Sequence, residues 1–259
     1  MTNLKRIDSY LDTHMDDSVA ELGKLCAIPS VAAQNTGIDE AANLVGEMLQ
    51  QRGFSVQILP TGGSPVVIAE RKGKRSDKTL LFYNHYDVQP AEPLELWESP
   101  PFEATLRDGC LYARGVSDDK GHITSRLFAI DALLDQNDEF PCNIKFIVEG
   151  EEEIGSVHLP EFIENNQELL AADACVWEFG SVNHEEAPMQ YVGLRGICYV
   201  ELSVKTADID VHSGLGGSIF HNAAWRLVWA LNTLKDENEN ILIPGFYDAV
   251  IPPSERDIE

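Results

Sequence analysis

The chain has 259 residues, 44% of them apolar, which is enough to bury the core of one large α/β domain or of one domain and part of a second. It carries 43 Asp and Glu against 19 Lys and Arg, a formal net charge of −24. Nucleic-acid binding requires a basic surface to replace the counterions of the phosphates, so the charge balance argues against a nucleic-acid partner.

Cysteine usage and the N-terminal stretch indicate the compartment. The five cysteines have no CxxC motif and no paired spacing, so they predict neither a disulfide framework nor a thiolate zinc site. The N-terminal stretch is polar and amphipathic, without the apolar core of a signal peptide. No apolar run approaches the ~20 residues that a membrane-spanning helix needs. We therefore expect a cytoplasmic protein that makes no contact with membranes.

Helical and strand patterns alternate along most of the chain. Apolar residues at three- and four-residue steps predict helices over residues 4–25, 41–49, 123–134 and 159–170. Runs of β-prone residues predict strands over residues 55–59, 66–70, 79–83, 143–148 and 174–177. An Asp-Gly turn predicts a hairpin over residues 106–112. The alternation favours an α/β fold with a mostly parallel, twisted sheet and helices on both faces.

The pattern changes after about residue 192. Val200, Leu202 and Val204 alternate with polar residues, which predicts the half-buried strand of an open-faced sheet. A helix over residues 219–234 is expected to follow. We therefore place a boundary between a first domain, residues 1–192, and a second α+β domain that begins with residues 193–259.

Pairs of polar residues follow the predicted strands and hairpin. His85 and Asp87 come after the apolar strand 79–83, on the same side of an extended chain, where the carboxylate can orient a metal-binding imidazole. Asp118 and Asp119 follow the hairpin between flanking glycines, and one carboxylate can bridge two cations. A structural hydrogen bond is the alternative for the first pair and helix capping for the second.

Two further acidic segments close later strands. Residues 149–153 contain four acids in five positions, which repel one another unless water, cations or helix N–H groups compensate. One of these carboxylates can bind a metal while its neighbour deprotonates a water, and a solvated surface is the alternative. Glu178 follows strand 174–177 between Trp177 and Phe179, where a partly buried carboxylate needs either a metal or a salt bridge.

These strand ends together predict a metal site. In α/β sheets ligands bind beyond the carboxyl ends of the strands, and these segments offer imidazole and carboxylate without thiolate. That donor set suits zinc, cobalt or manganese in a catalytic site. A calcium-binding module is a competing hypothesis, but calcium prefers shells made only of oxygen, which His85 does not fit.

The same segments resemble the metal-site motifs of the M20 zinc peptidases, which include carnosinase-like dipeptidases, aminoacylases and succinyl-diaminopimelate desuccinylase. HYDVQP, ARGVSDDKG and EGEEEIGS are similar to the family's three metal-site blocks in order and spacing. GLRGICYVELSV and DVHSGLGG are similar to the start of its lid domain, in the carnosinase-like branch. The resemblance covers the whole chain. It implies a catalytic zinc-hydrolase segment over residues 1–192 and an incomplete lid and dimerisation domain over residues 193–259.

The resemblance implies a two-zinc hydrolase that cleaves the amide bond of a dipeptide with a hydroxide held between the ions. An N-acyl amino acid deacylase or desuccinylase is the alternative, and a non-catalytic scaffold is the second alternative. Cobalt or manganese could replace zinc. The implied metal ligands are His85, Asp118, Glu153 and Glu178, with Asp118 bridging both ions.

Three more residues acquire roles from the resemblance. Asp87 would orient His85, and Glu152 would act as the general base. His212 would reach across a homodimer, formed through the lid domain, to stabilise the oxyanion in the partner's active site. The Asp118–Asp119 peptide bond is implied to be cis.

Two features depart from the family pattern. Position 178 is Glu, where the family's dipeptidases have Asp, and Glu is more typical of its carboxypeptidases and deacylases. The family's last zinc ligand, a His, and its substrate-carboxylate Arg lie beyond the point that corresponds to Glu259. We therefore expect the chain to be the N-terminal portion of a longer protein.

Overall fold

The structure is a computed structural model that describes residues 4–74, 77–136, 139–178, 180–189, 191, 193 and 195–255. The chain divides into two compact units, Met1–Tyr191 and Val192–Glu259. Among the helices of these residues, none is both long and apolar enough to cross a membrane.

The helices of the first unit follow the predicted pattern with shifted ends. They are α1 (Leu4–Cys26), α2 (Ile38–Gln51), α3 (Lys120–Gln136), α4 (Leu159–Asn165) and α5 (Gln167–Leu170). Helix α2 begins three residues before its first predicted position, because Gly37 adopts a positive φ of 63° and turns the chain into the helix. The helix predicted over residues 159–170 is interrupted at Asn166, whose side-chain amide donates to the carbonyl of Phe162 at 2.8 Å.

The strands of the first unit are β1 (Ser55–Leu59), β2 (Val66–Arg71), β3 (Thr79–His85), β4 (Thr105–Arg107), β5 (Cys110–Tyr112), β6 (Asn143–Glu149), β7 (Ala174–Val176), β8 (Ser181–Val182) and β9 (Pro188–Met189). β4 and β5 form the predicted hairpin, with positive φ at both Asp108 and Gly109 of its turn. β8 and β9 form a second, two-stranded sheet.

The main sheet is mostly parallel, as predicted. Its order is β1-β2-β6-β3-β7. β3 pairs in parallel with β6 and β7, whereas β2 is antiparallel to both β1 and β6. Four strands therefore run in one direction and β2 runs against them, which confirms the α/β fold class.

Helices cover both faces of this sheet. Val67, Ala69 and Phe146 pack with residues of α1, α2 and α3 on one face. The alternate positions Ile68 and Ile147 pack with residues of α4 on the other. The central strand β6 is buried at every position, as expected of a strand covered on both sides.

The pairing of the parallel strands positions a site at one edge of the sheet. In the β3–β6 register His85 lies opposite Glu149, so both strands end at the same level. β7 pairs with β3 over Leu80–Phe82, and the chain then continues through Trp177 and Glu178 toward the same edge. The four segments with the candidate site residues therefore lie near one another. Three follow neighbouring strand ends, and the fourth is the loop before α3.

The second unit differs from the sequence prediction. Its helices are α6 (Ser213–Gly216) and α7 (Ala223–Leu231). The strand predicted around Val200–Val204 does not form, because a strand needs a pairing partner and the described residues of this unit pair only in one isolated bridge, between Lys235 and Ile241. α7 starts later than predicted, because the side chain of Asn222 accepts the N–H of Trp225 and caps the helix there.

Candidate metal centre

Three carboxylates from three separate segments converge on one ring nitrogen of His85. The imidazole lies at the end of β3 and is 1% exposed. Its Nε2 lies 2.9 Å from Oδ1 of Asp118, and 3.8 Å from an oxygen of both Glu152 and Glu178. Its Nδ1 lies 3.1 Å from the carbonyl oxygen of Asp87 and 3.3 Å from that residue's Oδ1. The ring is therefore held from one side, and its other nitrogen faces the acids.

Ionisation in this cluster reflects burial and the concentration of negative charge. Burial lowers the pKa of His85, but hydrogen bonds with Asp118 and Asp87 outweigh it and raise that pKa to about 11. Burial also raises the pKa of Glu178 to about 7, and it raises the pKa of Glu152, with neighbouring carboxylates adding to both shifts. A divalent cation among these groups would relieve the repulsion between them.

Glu178 provides the clearest indication that the centre is built for a cation. Its Oε2 is buried, and among the described residues no group donates a hydrogen bond to it. A buried polar atom without a partner is costly and requires an explanation. The backbone before Glu178 is held in place, because the side chain of the preceding Trp177 stacks on Tyr83 with 3.9 Å between ring centroids. A metal bound beside His85 would supply the missing partner.

The two adjacent aspartates have different environments. Asp119 is fully buried, and its Oδ2 accepts hydrogen bonds from Asn84 Nδ2 at 2.6 Å and from the backbone N–H of His85 at 3.0 Å. Its Oδ1 lies 2.6 Å from Nδ1 of His122. The Asp118 side chain is 71% exposed and meets His85 directly. The peptide bond between them is cis, as the resemblance implies.

Distance and hydrogen bonding point to different aspartates as the ligand. His85, Asp119 and Glu178 each place one ligand atom within 4.8 Å of the other two, so by distance Asp119 belongs to a set that could hold a metal ion. However, both oxygens of Asp119 already contact protein donors, whereas Asp118 Oδ1 meets the same Nε2 that a metal would use. This difference favours Asp118 as the ligand and Asp119 as the residue that fixes the backbone of His85.

The turn that carries Glu152 and Glu153 is held by Asp87. The Asp87 carboxylate is fully buried; its Oδ1 accepts the backbone N–H of Glu152 at 3.2 Å and its Oδ2 that of Glu153 at 3.1 Å. The Glu152 carboxylate lies near His85. The Glu153 carboxylate accepts a hydrogen bond from Gln89 Nε2 at 2.8 Å. The structure thus brings His85, Asp118, Glu152 and Glu178 together, whereas the carboxylate of Glu153, on the same turn as Glu152, contacts Gln89.

The acidic run is only partly a solvent-facing surface. Glu149 and Glu151 are buried. Glu149 Oε1 accepts from the hydroxyl of Tyr83 at 2.5 Å and from that of Ser156 at 2.8 Å. Glu151 accepts the backbone N–H of Ser64 at 3.0 Å. Sequence reasoning did not assign roles to these two acids, although the alternation of β6 places Glu149 on the face of Ile147 and Tyr83.

Two basic residues, Lys120 and Arg126, hold the segments around the site, and the sequence did not predict this role for them. Lys120 is fully buried, and its ammonium donates to the carbonyls of Leu25, in the last turn of α1, and of Ile28, just after it. Burial lowers the pKa of Lys120 to about 8. Arg126 donates to the carbonyl of Tyr83 at 2.7 Å and also contacts that of Trp177, which ties β3 to the segment after β7.

His212 lies in the second unit, directly before α6. Its ring is exposed, and its Nδ1 accepts the backbone N–H of Gly214 at 3.0 Å. An acceptor Nδ1 in a neutral imidazole leaves the proton on Nε2. His212 therefore presents an N–H donor to its surroundings.

Comparisons with known proteins agree on a family of peptidases. The family model described as peptidase family M20/M25/M40 matches residues 81–244. The Beta-Ala-His dipeptidase of Homo sapiens is 35% identical over 273 aligned positions, covering 98% of this chain and 54% of the relative. The Cys-Gly metallodipeptidase of Schizosaccharomyces pombe is 32% identical over 275 positions, covering 99% of this chain and 58% of the relative. The chain thus spans about half the length of the curated relatives it matches.

A solved structure is similar over most of the chain. An M20 family metallo-carboxypeptidase from Sulfolobus solfataricus superposes with a TM-score of 0.84 at 40% sequence identity. The match covers 92% of this chain and 54% of that structure's chain. The similar proteins therefore include both dipeptidases and a carboxypeptidase by name.

We predict that Gly150→Ala destabilises the protein. A Cβ at this position would lie 2.3 Å from the Cζ and hydroxyl oxygen of Tyr86. The Tyr86 ring is fully buried and its hydroxyl donates to the carbonyl of Pro65 at 2.7 Å, so the ring cannot move aside. We expect the variant to lose about 1–3 kcal/mol of unfolding free energy, measured by denaturant titration.

Gly180→Ala is the matched control. A Cβ at Gly180 would meet no atom of the described residues within 4 Å, so the free energy of unfolding of this variant should stay within ~0.5 kcal/mol of the parent. Equal stability of the two variants would contradict the close approach of Tyr86 to the acidic turn.

Proposed function

Because the chain belongs to peptidase family M20/M25/M40, we propose that the complete protein is a metal-dependent hydrolase that cleaves the amide bond of dipeptides. The observation that carries this proposal is the convergence of three carboxylates on Nε2 of His85, at 2.9–3.8 Å. Similarity to a Beta-Ala-His dipeptidase and a Cys-Gly metallodipeptidase supports dipeptides as the substrate class.

The cofactor we propose is a pair of zinc ions. His85 and Glu178 would hold one ion, Glu153 the other, and Asp118 would bridge them. The imidazole and carboxylate donors suit zinc, and the buried Oε2 of Glu178, which accepts no hydrogen bond from the described residues, fits a metal ligand. When bound, two such ions would polarise the scissile carbonyl and acidify the attacking water.

The chain's own residues supply positioning and proton transfer. Asp87 holds Nδ1 of His85, which keeps Nε2 directed at the carboxylates. Asp87 also holds the backbone of Glu152, whose half-buried carboxylate lies near the same nitrogen. We assign Glu152 as the general base that takes a proton from the attacking water and passes it to the leaving amine.

His212 is proposed to stabilise the oxyanion that develops on the scissile carbonyl. The hydrogen bond from Gly214 leaves a proton on Nε2, which is the donor that this role requires. We further propose that residues 193–259 begin a lid domain through which two copies dimerise, and that His212 of one subunit serves the active site of its partner.

A carboxypeptidase or an N-acyl amino acid deacylase is the second candidate. Position 178 carries Glu, and the similar Sulfolobus solfataricus protein is named a metallo-carboxypeptidase. A non-catalytic scaffold is less consistent with the site, because a scaffold gains nothing from a buried carboxylate oxygen that accepts no hydrogen bond from the described residues.

We propose the cytoplasm as the compartment. All five cysteines are free thiols, which is typical of a reducing environment. The substrates would then be small peptides present in the same compartment.

The substrate class is tested first. We expect the complete, zinc-loaded protein to release amino acids from a panel of dipeptides, and a chelator to abolish the release, as measured by mass spectrometry. N-acyl amino acids and longer peptides belong in the same panel. Turnover of these substrates alone would favour the second candidate, and no turnover of any substrate would favour the scaffold.

Glu152→Gln is expected to lower kcat about 10²–10⁴-fold while the metal content is unchanged, because the amide cannot accept the water proton. Glu161→Gln, on the exposed side of α4, is the matched control and should keep the parent rate. Metal analysis and steady-state kinetics measure both effects. A Glu152→Gln variant at the parent rate would refute the assignment of the base.

His212→Ala is expected to lower kcat roughly 10²–10³-fold, the typical effect of losing one oxyanion donor, with metal content and folding preserved. The exposed His221 lies in the same unit, so His221→Ala controls for the loss of an imidazole there. Steady-state kinetics and metal analysis provide the readouts. Loss of metal from His212→Ala would instead identify His212 as a ligand or a folding residue.

A further inference from the structure

We propose that Gln89 is a positioning residue that determines which of two adjacent glutamates binds metal, a role that rests on the proposed function. Glu152 and Glu153 carry identical side chains on one short turn. The proposed chemistry needs one of them as a ligand and the other as a base. A contact that distinguishes the two side chains is therefore required.

The backbone contacts of the turn do not distinguish them. The Asp87 carboxylate gives one oxygen to the N–H of Glu152 and the other to the N–H of Glu153, at nearly equal distances of 3.2 and 3.1 Å. Both residues are thereby held in the same way. The distinction must arise at the side chains.

Gln89 donates hydrogen bonds to the second glutamate, and the described residues show none from Gln89 to the first. Its Nε2 donates to Oε2 of Glu153 at 2.8 Å and to the carbonyl oxygen of the same residue at 2.9 Å. Both partners are pure acceptors, so the amide nitrogen must face them, which settles the orientation of the side-chain amide. Within the described part of the chain, no hydrogen bond is donated to the Glu152 carboxylate, which lies 3.8 Å from His85 Nε2.

The chemistry of an amide suits this role. The donor stabilises the charged form of Glu153 and restrains its rotamer, while the second oxygen, Oε1, stays available for a metal. A Lys or Arg at this position would also donate, but its charge would repel an incoming cation. A neutral donor avoids that conflict.

The position of Gln89 in the sequence agrees with the proposal. His85, Asp87 and Gln89 occupy alternate positions of one segment that continues from β3. His85 faces the acids, Asp87 holds His85 and the turn, and Gln89 holds the Glu153 side chain. One segment thus supplies a proposed ligand, His85, and the two residues that hold the acidic turn and the side chain of the other proposed ligand, Glu153.

The test is a zinc titration of the complete, metal-free protein by calorimetry. Gln89→Met keeps the length of the side chain and removes the donor. We expect the parent to bind two equivalents, and Gln89→Met to bind one of them about tenfold more weakly while the other is unaffected. Gln57→Met, on the exposed side of β1, is the matched control and should titrate like the parent.

A double variant shows whether Gln89 acts through Glu153. Glu153→Gln should lose the same equivalent that Gln89→Met weakens, and the combination of both changes should add nothing to Glu153→Gln alone. A Gln89→Met variant that titrates like the parent, or that weakens both equivalents alike, overturns the inference and leaves the proposed function intact. A parent protein that does not bind two equivalents overturns the proposed function, and the inference with it.

Discussion

The site depends on the buried carboxylate of Asp87, which joins the ends of two parallel strands. It lies beside Nδ1 of His85 at the end of β3, and its two oxygens accept the N–H groups of Glu152 and Glu153 after β6. Hydrogen bonds to a charged group contribute about 1.5–3 kcal/mol each, and a buried carboxylate without such partners would be strongly unfavourable. The same group therefore sets the orientation of the imidazole and the path of the acidic turn.

Regular periodicity made the framework of this site predictable from the sequence. The apolar runs of β3 and β6 identify central strands, and parallel pairing brings their ends to one edge, so His85 and the acidic run were expected near each other. Side-chain direction in irregular loops has no such period. The sequence could not show that Asp119 rather than Asp118 is buried, that Lys120 is internal, or that β2 alone runs against the other strands.

The second unit shows the same limit in another form. Alternation around Val200–Val204 indicates a surface that suits a strand, but a strand forms only with a partner, and pairing is not encoded locally. Capping at Asn222, by contrast, is a local interaction between near neighbours. This local interaction defines where α7 begins. The segment Val200–Val204, by contrast, pairs with no other strand among the described residues.

Charge links the acidic composition to the chemistry. Acids outnumber bases along the whole chain, and several of the described carboxylates lie close to one another around His85. There burial raises the pKa of Glu152 and Glu178, and the neighbouring carboxylates add to both shifts. Repulsion among these carboxylates opposes folding, because it acts only in the folded state. Binding of a divalent ion at the proposed site would therefore supply folding free energy as well as chemistry. The buried frame of Asp87, Asp119 and Lys120 keeps the carboxylates in place despite that repulsion.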